Sequence, residues 1–225
     1  MERRKLLKAL AVLSASGYVS SSNAGFGDLL KSKPSSGGSW KSVSAAFGEA
    51  KKNFISELVV QTNVSADIAS ALDLQSEAEV MRAEAKAIEK EGDSLGSGDI
   101  GAISEKSKST QQLISKKLST ADALSDSQKA ELGTAAAQYV PSLIRGVTTG
   151  KALKDIISDA SGLGTPGFSD GVAALSAAKD IPTLAPAMVN FLINSVTTGK
   201  DLVTTMSSKG VATPEINTSD FEGFV

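Results

Sequence analysis

A segment of 27 residues occurs twice in this chain, at 132–158 and again at 181–207. The two copies are identical at 12 of the 27 aligned positions, and both contain the pentapeptide VTTGK, at Val147–Lys151 and Val196–Lys200. Before each pentapeptide, apolar residues recur at spacings of three and four, at positions 140, 143, 144 and 147 and at positions 189, 192, 193 and 196. Such spacing is typical of the buried face of an α-helix. The repeat therefore predicts a duplicated helical unit in the C-terminal half.

The pentapeptide itself is compatible with two structures. In one, Gly150 and Gly199 end their helices, because Val and Thr are poor helix formers and Gly suits the left-handed residue after a helix. In the other, the helix continues, and the small pairs Gly146/Gly150 and Ser195/Gly199 let two backbones approach closely. The apolar pattern resumes directly after the first pentapeptide, at Leu153, Ile156 and Ile157. We therefore expect a continuous helix, straight or bent, with the two copies packed against each other.

A Gly followed by Lys also occurs in phosphate-binding loops. A Walker A loop requires G-x-x-x-x-G-K-[ST] between a strand and a helix. Here three residues separate Gly146 from Gly150, and Ala152 stands where Ser or Thr would bind magnesium. The second copy has Ser195 in place of the first Gly and Asp201 after the Lys. Nucleotide binding is therefore not predicted.

The composition favours an all-α fold. Hydrophobic residues make up 41% of the chain but aromatic residues only 4%, so the core must consist mainly of Ala, Leu, Ile and Val. Such cores suit closely packed helices, and no segment shows strand alternation between hairpin turns. We predict a bundle of about five to six helices over residues 40–210. A flexible leader is expected at 25–39, and an extended tail at 211–225.

Local signals suggest where some of these helices begin. Asn63 or Ser65 has the side chain of a helix N-cap, so a second helix is expected to start there. A short helix is expected at about 171–179. The last long helix is expected to begin near Pro186, because proline is favoured in the first helical turn.

The first 24 residues have the layout of a bacterial export signal. A basic head that includes Arg3 and Arg4 precedes an apolar run at Ala9–Val19, which is too short to span a bilayer. Small residues then favour cleavage after Ala24. The head also resembles the twin-arginine signal at Arg3, Arg4, Leu7 and Lys8, whereas Glu2 and Leu6 depart from it. Both the Sec and the twin-arginine routes would place the mature protein in the periplasm or outside the cell.

Several chemistries are not expected. The chain has no Cys and no His, which excludes thiol nucleophiles, disulfides, Cys/His zinc sites and haem ligation by these residues. A net charge of −2 gives no basic surface for nucleic acid. The SAAK sequence at Ser176–Lys179 matches the S-x-x-K motif of penicillin-binding enzymes, but the companion motifs are missing. We therefore expect no catalytic residue, metal or cofactor.

These features favour an exported, non-enzymatic α-helical protein of the cell envelope that binds another protein or has a structural role. One alternative is a periplasmic carrier that holds a lipid or a small hydrophobic molecule between its helices. Another is a membrane-active helical protein. The apolar segment Leu184–Val196 is short and contains Pro186, Asn190 and Asn194, so no stable transmembrane span is expected.

Overall fold

The computed structural model describes residues 38–224, and within this range the chain forms five α-helices and no strand. The helices are α1 at Trp40–Ala71, α2 at Gln75–Glu91, α3 at Ser97–Thr120, α4 at Asp126–Ser161 and α5 at Val172–Ser208. Single 3₁₀ turns occur at Gly92–Ser94, Phe168–Asp170 and Thr218–Phe221. The prediction of an all-α bundle of about five to six helices is confirmed.

The three longest helices form the centre of the bundle. α1 packs against α2, α4 and α5, α4 packs against α5, and α3 packs mainly on α5. The core consists largely of Ala, Leu, Ile and Val, as the composition predicts. Among the few buried aromatic residues, Phe54 of α1 and Phe191 of α5 meet edge to face with ring centroids 5.6 Å apart.

The predicted start of a second helix at Asn63 or Ser65 is wrong. α1 continues through both residues, because the apolar positions Val64, Ile68 and Ala69 that follow them are buried in the core. Burial of this stripe outweighs the capping preference of single polar residues. The helix ends instead in a Schellman motif, in which the Leu74 N–H donates to the Ala69 carbonyl oxygen at 2.9 Å. α2 begins directly after it.

The predicted division of the last helix is also wrong. α5 runs without a break through Pro182 and Pro186, whereas a short helix and a separate long one were expected. Each proline removes one backbone donor, which usually ends or kinks a helix. Here Ile181, Leu184, Ala185 and Met188 are buried on the same stretch, and their packing holds the helix together.

After α5, residues 211–217 have no regular secondary structure and lead to the last 3₁₀ turn. Among the described residues, no helix has the length and apolarity needed to cross a membrane. This agrees with the expectation that the chain has no stable transmembrane span.

Candidate functional site

An apolar pocket of about 360 Å³ lies at the end of the bundle where α1 begins, α4 ends and α5 begins. Each of these elements contributes to its wall. The lining residues are Trp40 from α1, Ile157, Ala160 and Ser161 from α4, Leu163–Pro166 from the connecting loop, and Ala178, Ile181 and Pro182 from α5. Nearly all of these side chains are hydrocarbon, so the pocket suits an apolar group.

Local capping fixes one wall of this pocket. The Ser39 hydroxyl accepts a hydrogen bond from the Ser42 N–H at 3.3 Å and begins α1, which places Trp40 in the first turn. The Trp40 indole N–H donates to the carbonyl oxygen of Gly164. This bond ties the loop between α4 and α5 to α1 and leaves the indole ring as part of the pocket wall.

Exposed apolar side chains follow the pocket residues Gly164–Pro166 along the chain. Phe168 is 98% exposed, Val172 84% and Leu175 40%. Positions 172, 175, 178 and 182 follow a helical spacing, so one face of α5 leads from the exposed side chains to the pocket wall. We call the pocket together with Phe168, Val172 and Leu175 the apolar end. Neighbouring exposed apolar side chains of this kind mark interaction surfaces in folded proteins.

The S-x-x-K match lies on the same helix but forms no catalytic pair. Ser176 and Lys179 are both exposed. The Ser176 hydroxyl donates to Asp180 Oδ2 at 3.3 Å, so its partner is a carboxylate one helical turn away and not the lysine amine. A nucleophilic serine needs a neighbouring base aimed at its hydroxyl within a substrate-sized site. The geometry at Ser176 does not provide one.

The four residues singled out for repeat packing, Gly146, Gly150, Ser195 and Gly199, are all buried. Both helices continue through VTTGK, as expected. Equivalent positions of the two copies are buried alike, as in the pairs Ala136/Ala185, Leu143/Leu192, Val147/Val196 and Leu153/Leu202. The two copies therefore present the same face to the core.

Two of these small residues receive leucine side chains across the α4–α5 interface. A Cβ added at Gly199 would lie 2.7 and 2.8 Å from the two methyl carbons of Leu143. A Cβ added at Gly146 would lie 3.3 Å from Leu192 Cδ2. Leu143 and Leu192 are equivalent residues of the two copies, so each copy inserts the same leucine into a small-residue position of the other.

Gly150 has a different neighbour. A Cβ at this position would lie 2.1 Å from Cζ and 2.2 Å from Cε2 of Phe224, so the ring of the C-terminal phenylalanine rests directly on the glycine. The Lys154 amine lies 4.8 Å from the centroid of the same ring. Gly150 thus lies against Phe224 in the tail of the chain. Its repeat equivalent, Gly199, lies against side chains of α4 instead.

Sequence reasoning missed a polar seam between α1 and α4. The Arg145 Nε–H donates to Glu57 Oε1 at 2.6 Å, although Glu57 is only 1% exposed. Gln61, one turn further along α1, is 4% exposed and lies beside Gly146. Among the described residues, buried side-chain atoms without a protein partner are Glu57 Oε2, Gln61 Nε2 and Oε1, Ser142 Oγ and Thr149 Oγ1. Enclosed water commonly satisfies such atoms.

One sequence signal could have revealed this seam. Glu57, Gln61 and Ser65 are four residues apart, which places three polar side chains on one helix face. That face also carries the buried residues Phe54 and Leu58. A polar residue at an apolar face usually has a buried partner on another helix. The sequence alone does not identify Arg145 as that partner.

Tyr139 is another buried polar residue of the core. Its hydroxyl oxygen accepts a hydrogen bond from the Gln111 side-chain amide at 3.1 Å. Burial raises the pKa of the Tyr139 phenol well above its ordinary value, and a hydrogen bond with Ser65 opposes this effect only in part. The phenol therefore stays protonated at neutral pH and acts as an internal structural group.

The residues of the predicted export signal, among them Arg3, Arg4 and Ala24, fall within residues 1–37, which lie outside the described residues. Within 38–224, no group of three or more carboxylates is placed to hold a metal ion.

Comparisons with protein-family models, with curated proteins and with solved structures found no match to this chain. Its function is therefore argued from its own residues.

Proposed function

We propose that this chain is an exported, non-enzymatic α-helical protein that binds a partner protein of the bacterial envelope through its apolar end. The observation that carries the proposal is the 98% exposure of Phe168 beside an apolar pocket walled by Trp40. Exposed aromatic and aliphatic side chains around a preformed pocket are typical of the energetic centre of a protein interface.

The extent of the exposed surface favours a protein over a small ligand. A molecule held within about 360 Å³ would be at the small end of ligand sites, and it would leave Phe168 and Val172 in water. A partner protein covers both side chains and inserts one apolar side chain into the pocket. Burial of each exposed side chain would contribute about 1.5–3 kcal/mol of apolar transfer free energy.

Photocrosslinking tests the proposal directly. A photoreactive phenylalanine is placed at position 168 and, as a matched control, at Val80, which is 50% exposed on α2. In cells that make the protein, position 168 should crosslink to one envelope protein and position 80 should not. The same set of products from both positions would contradict the proposed interface.

Export is tested separately, on the basis of the layout of residues 1–24. The mature protein should begin at Gly25 if cleavage follows Ala24. Replacement of Arg3 and Arg4 together by Lys preserves charge, so it should block the twin-arginine route while leaving Sec export intact. A full-length chain retained in the cytoplasm of the parent strain would contradict export by either route.

A carrier function is the second candidate, and the apolar lining of the pocket supports it. The pocket lies at the end of the bundle, and Ile157 of α4 and Ile181 of α5, one from each copy of the repeat, both line it. Native mass spectrometry of protein purified from its own envelope separates the two functions. A bound molecule of constant mass that disappears in Ala178→Trp, which fills the pocket, favours the carrier. Absence of such a mass together with a crosslink at position 168 favours the protein partner.

A further inference from the structure

The C-terminal residues Val211–Phe224 contact α4 as an irregular segment that includes the 3₁₀ turn at Thr218–Phe221, and we call this segment the strap. Near its start, the Ala212 carbonyl oxygen lies 3.1 Å from the place that a Cβ on Gly133 would take. At its other end, Phe224 rests on Gly150. These two glycines are about 25 Å apart along α4, at 1.5 Å per helical residue. The strap therefore follows the helix for almost five turns.

Two aromatic side chains anchor the strap. Phe221 is 3% exposed and Phe224 is 2% exposed. The Lys200 amine lies 5.2 Å from the centroid of the Phe221 ring, and the Lys154 amine lies 4.8 Å from that of Phe224. Lys154 also donates a hydrogen bond to the Phe224 carbonyl oxygen at 3.2 Å. Cations over aromatic faces at these distances are favourable contacts.

The charged side chains of the strap are all acidic, and two lysines lie against its aromatic rings. The strap carries Glu215, Asp220 and Glu222 and has no Lys or Arg. The surface beneath the strap presents Lys154 and Lys200 beside the two rings. The surface that receives the strap, formed by Gly133, Gly150, Lys154 and Lys200, is called the strap groove. In this groove, glycines make room for the strap and two basic side chains lie beside its aromatic rings.

Gly150, a residue of the repeat, leaves room in this groove for an aromatic ring. Gly150 occupies a helix interior, where Ala is the better helix former, yet a single added carbon would collide with the Phe224 ring. Its repeat equivalent Gly199 accommodates a leucine of α4 within the core. The lack of a side chain at position 150 therefore makes room for the Phe224 ring of the docked segment.

We propose that the strap groove is a peptide-recognition site for an acidic segment of a second protein chain that carries two aromatic side chains separated by two residues. The protein's own strap is the intramolecular occupant of this site. Because the strap is tethered, it competes at a high effective concentration, and an outside segment binds when the strap is displaced.

The test uses the full chain and a fluorescent peptide with the sequence of residues 212–225. In the double variant Phe221→Ala/Phe224→Ala the strap loses both anchors, and the peptide should bind saturably by fluorescence anisotropy. The unsubstituted chain should bind it at least tenfold more weakly, since its own strap competes. A peptide with Ala at both Phe positions should not bind.

A matched glycine pair locates the site. In the released double variant, a further Gly150→Leu change should weaken peptide binding at least tenfold, because the side chain fills the place of the Phe224 ring. Gly101→Leu on α3 has open space around it and should leave binding unchanged. Equal effects of the two leucines would overturn the proposal, as would no saturable binding to a released variant that keeps its helical circular dichroism.

A second measurement applies if the released variant does not fold. The chain has no Cys, so a single Ser219→Cys substitution allows one fluorophore to be attached to the strap. Excess unlabelled peptide should displace the strap and lower the anisotropy of this label. No change at millimolar peptide would overturn the proposal. A dimer at high protein concentration that is lost in Phe221→Ala/Phe224→Ala would identify a second copy as one source of the segment.

Discussion

Substitution of Gly199 by Ala is expected to destabilise the protein, although Ala is the better helix former. The added Cβ would lie 2.7 and 2.8 Å from the Leu143 methyl carbons and 3.2 Å from Tyr139 Cε1. Leu143 and Tyr139 are both 0% exposed, so neither has free space into which to move. The substitution therefore tests whether α4 and α5 meet at the repeat as closely as the structure indicates.

The magnitude follows from two opposing contributions. Replacement of a helical Gly by Ala in open space stabilises a helix by about 1 kcal/mol. Overpacking of a well-filled core costs about 1–3 kcal/mol. Gly199→Ala should therefore lower the free energy of unfolding by up to about 2 kcal/mol. Gly101→Ala on α3, which has no atom within 4 Å of its new carbon, is the matched control and should stabilise by about 1 kcal/mol.

Urea unfolding followed by circular dichroism measures both variants under the same conditions. The difference between them isolates the steric cost, because the helix propensity gain is common to both, and it should be about 1–3 kcal/mol. Equal midpoints and equal slopes for Gly199→Ala and Gly101→Ala would refute the close contact at Gly199.

Three further predictions address the polar seam, Tyr139 and the strap. Arg145→Met leaves the Glu57 carboxylate buried and unpaired and should cost about 3 kcal/mol in urea unfolding, whereas Glu57→Leu/Arg145→Met together should recover most of this loss. Burial raises the pKa of the Tyr139 phenol, so above about pH 10 only the unfolded state ionises, and stability should fall by up to about 1.4 kcal/mol per pH unit. Tyr139→Phe should remove this part of the fall between pH 9 and pH 11, and an unchanged slope would contradict the assignment. Gly150→Ala should displace the Phe224 ring and speed chymotrypsin cleavage at Phe221 relative to Gly101→Ala, with equal rates as the contrary result.

The sequence predicts the helical architecture well because its evidence is local. Apolar residues at helical spacing recur over long segments, and that periodicity survives whatever surrounds it. The errors at Asn63, Ser65 and Pro186 concern single residues whose local preference was overridden by burial of the neighbouring stripe. Caps and prolines bias a helix boundary by a few kcal/mol, and core packing of a long helix exceeds that bias.

The sites are harder to predict because they depend on contacts between distant parts of the chain. Arg145 and Glu57 are 88 residues apart in sequence, and Lys154 and Phe224 are 70 residues apart. No periodicity within one segment indicates which residue of another segment will face it. The pocket at Trp40 likewise depends on three elements that meet only in the folded bundle.

The two copies of the repeat also show that sequence does not predict contacts between distant parts of the chain. Gly150 and Gly199 occupy equivalent positions in two identical pentapeptides, and both are buried. Their neighbours nevertheless differ, because Gly199 faces the leucine of α4 and Gly150 faces the C-terminal phenylalanine. Sequence identity between the copies predicts a common helix and a common buried face. It does not predict a common partner.

The affinity of the purified protein for the partner captured at position 168 tests the central claim most directly. Isothermal titration calorimetry compares the parent with Phe168→Ser and with Val80→Ser, which removes a comparable exposed apolar side chain from α2. Loss of about 1.5–3 kcal/mol of apolar burial corresponds to a decrease in affinity of at least tenfold for Phe168→Ser. Val80→Ser should leave the affinity unchanged. Equal affinities for the parent and Phe168→Ser would contradict binding through the apolar end.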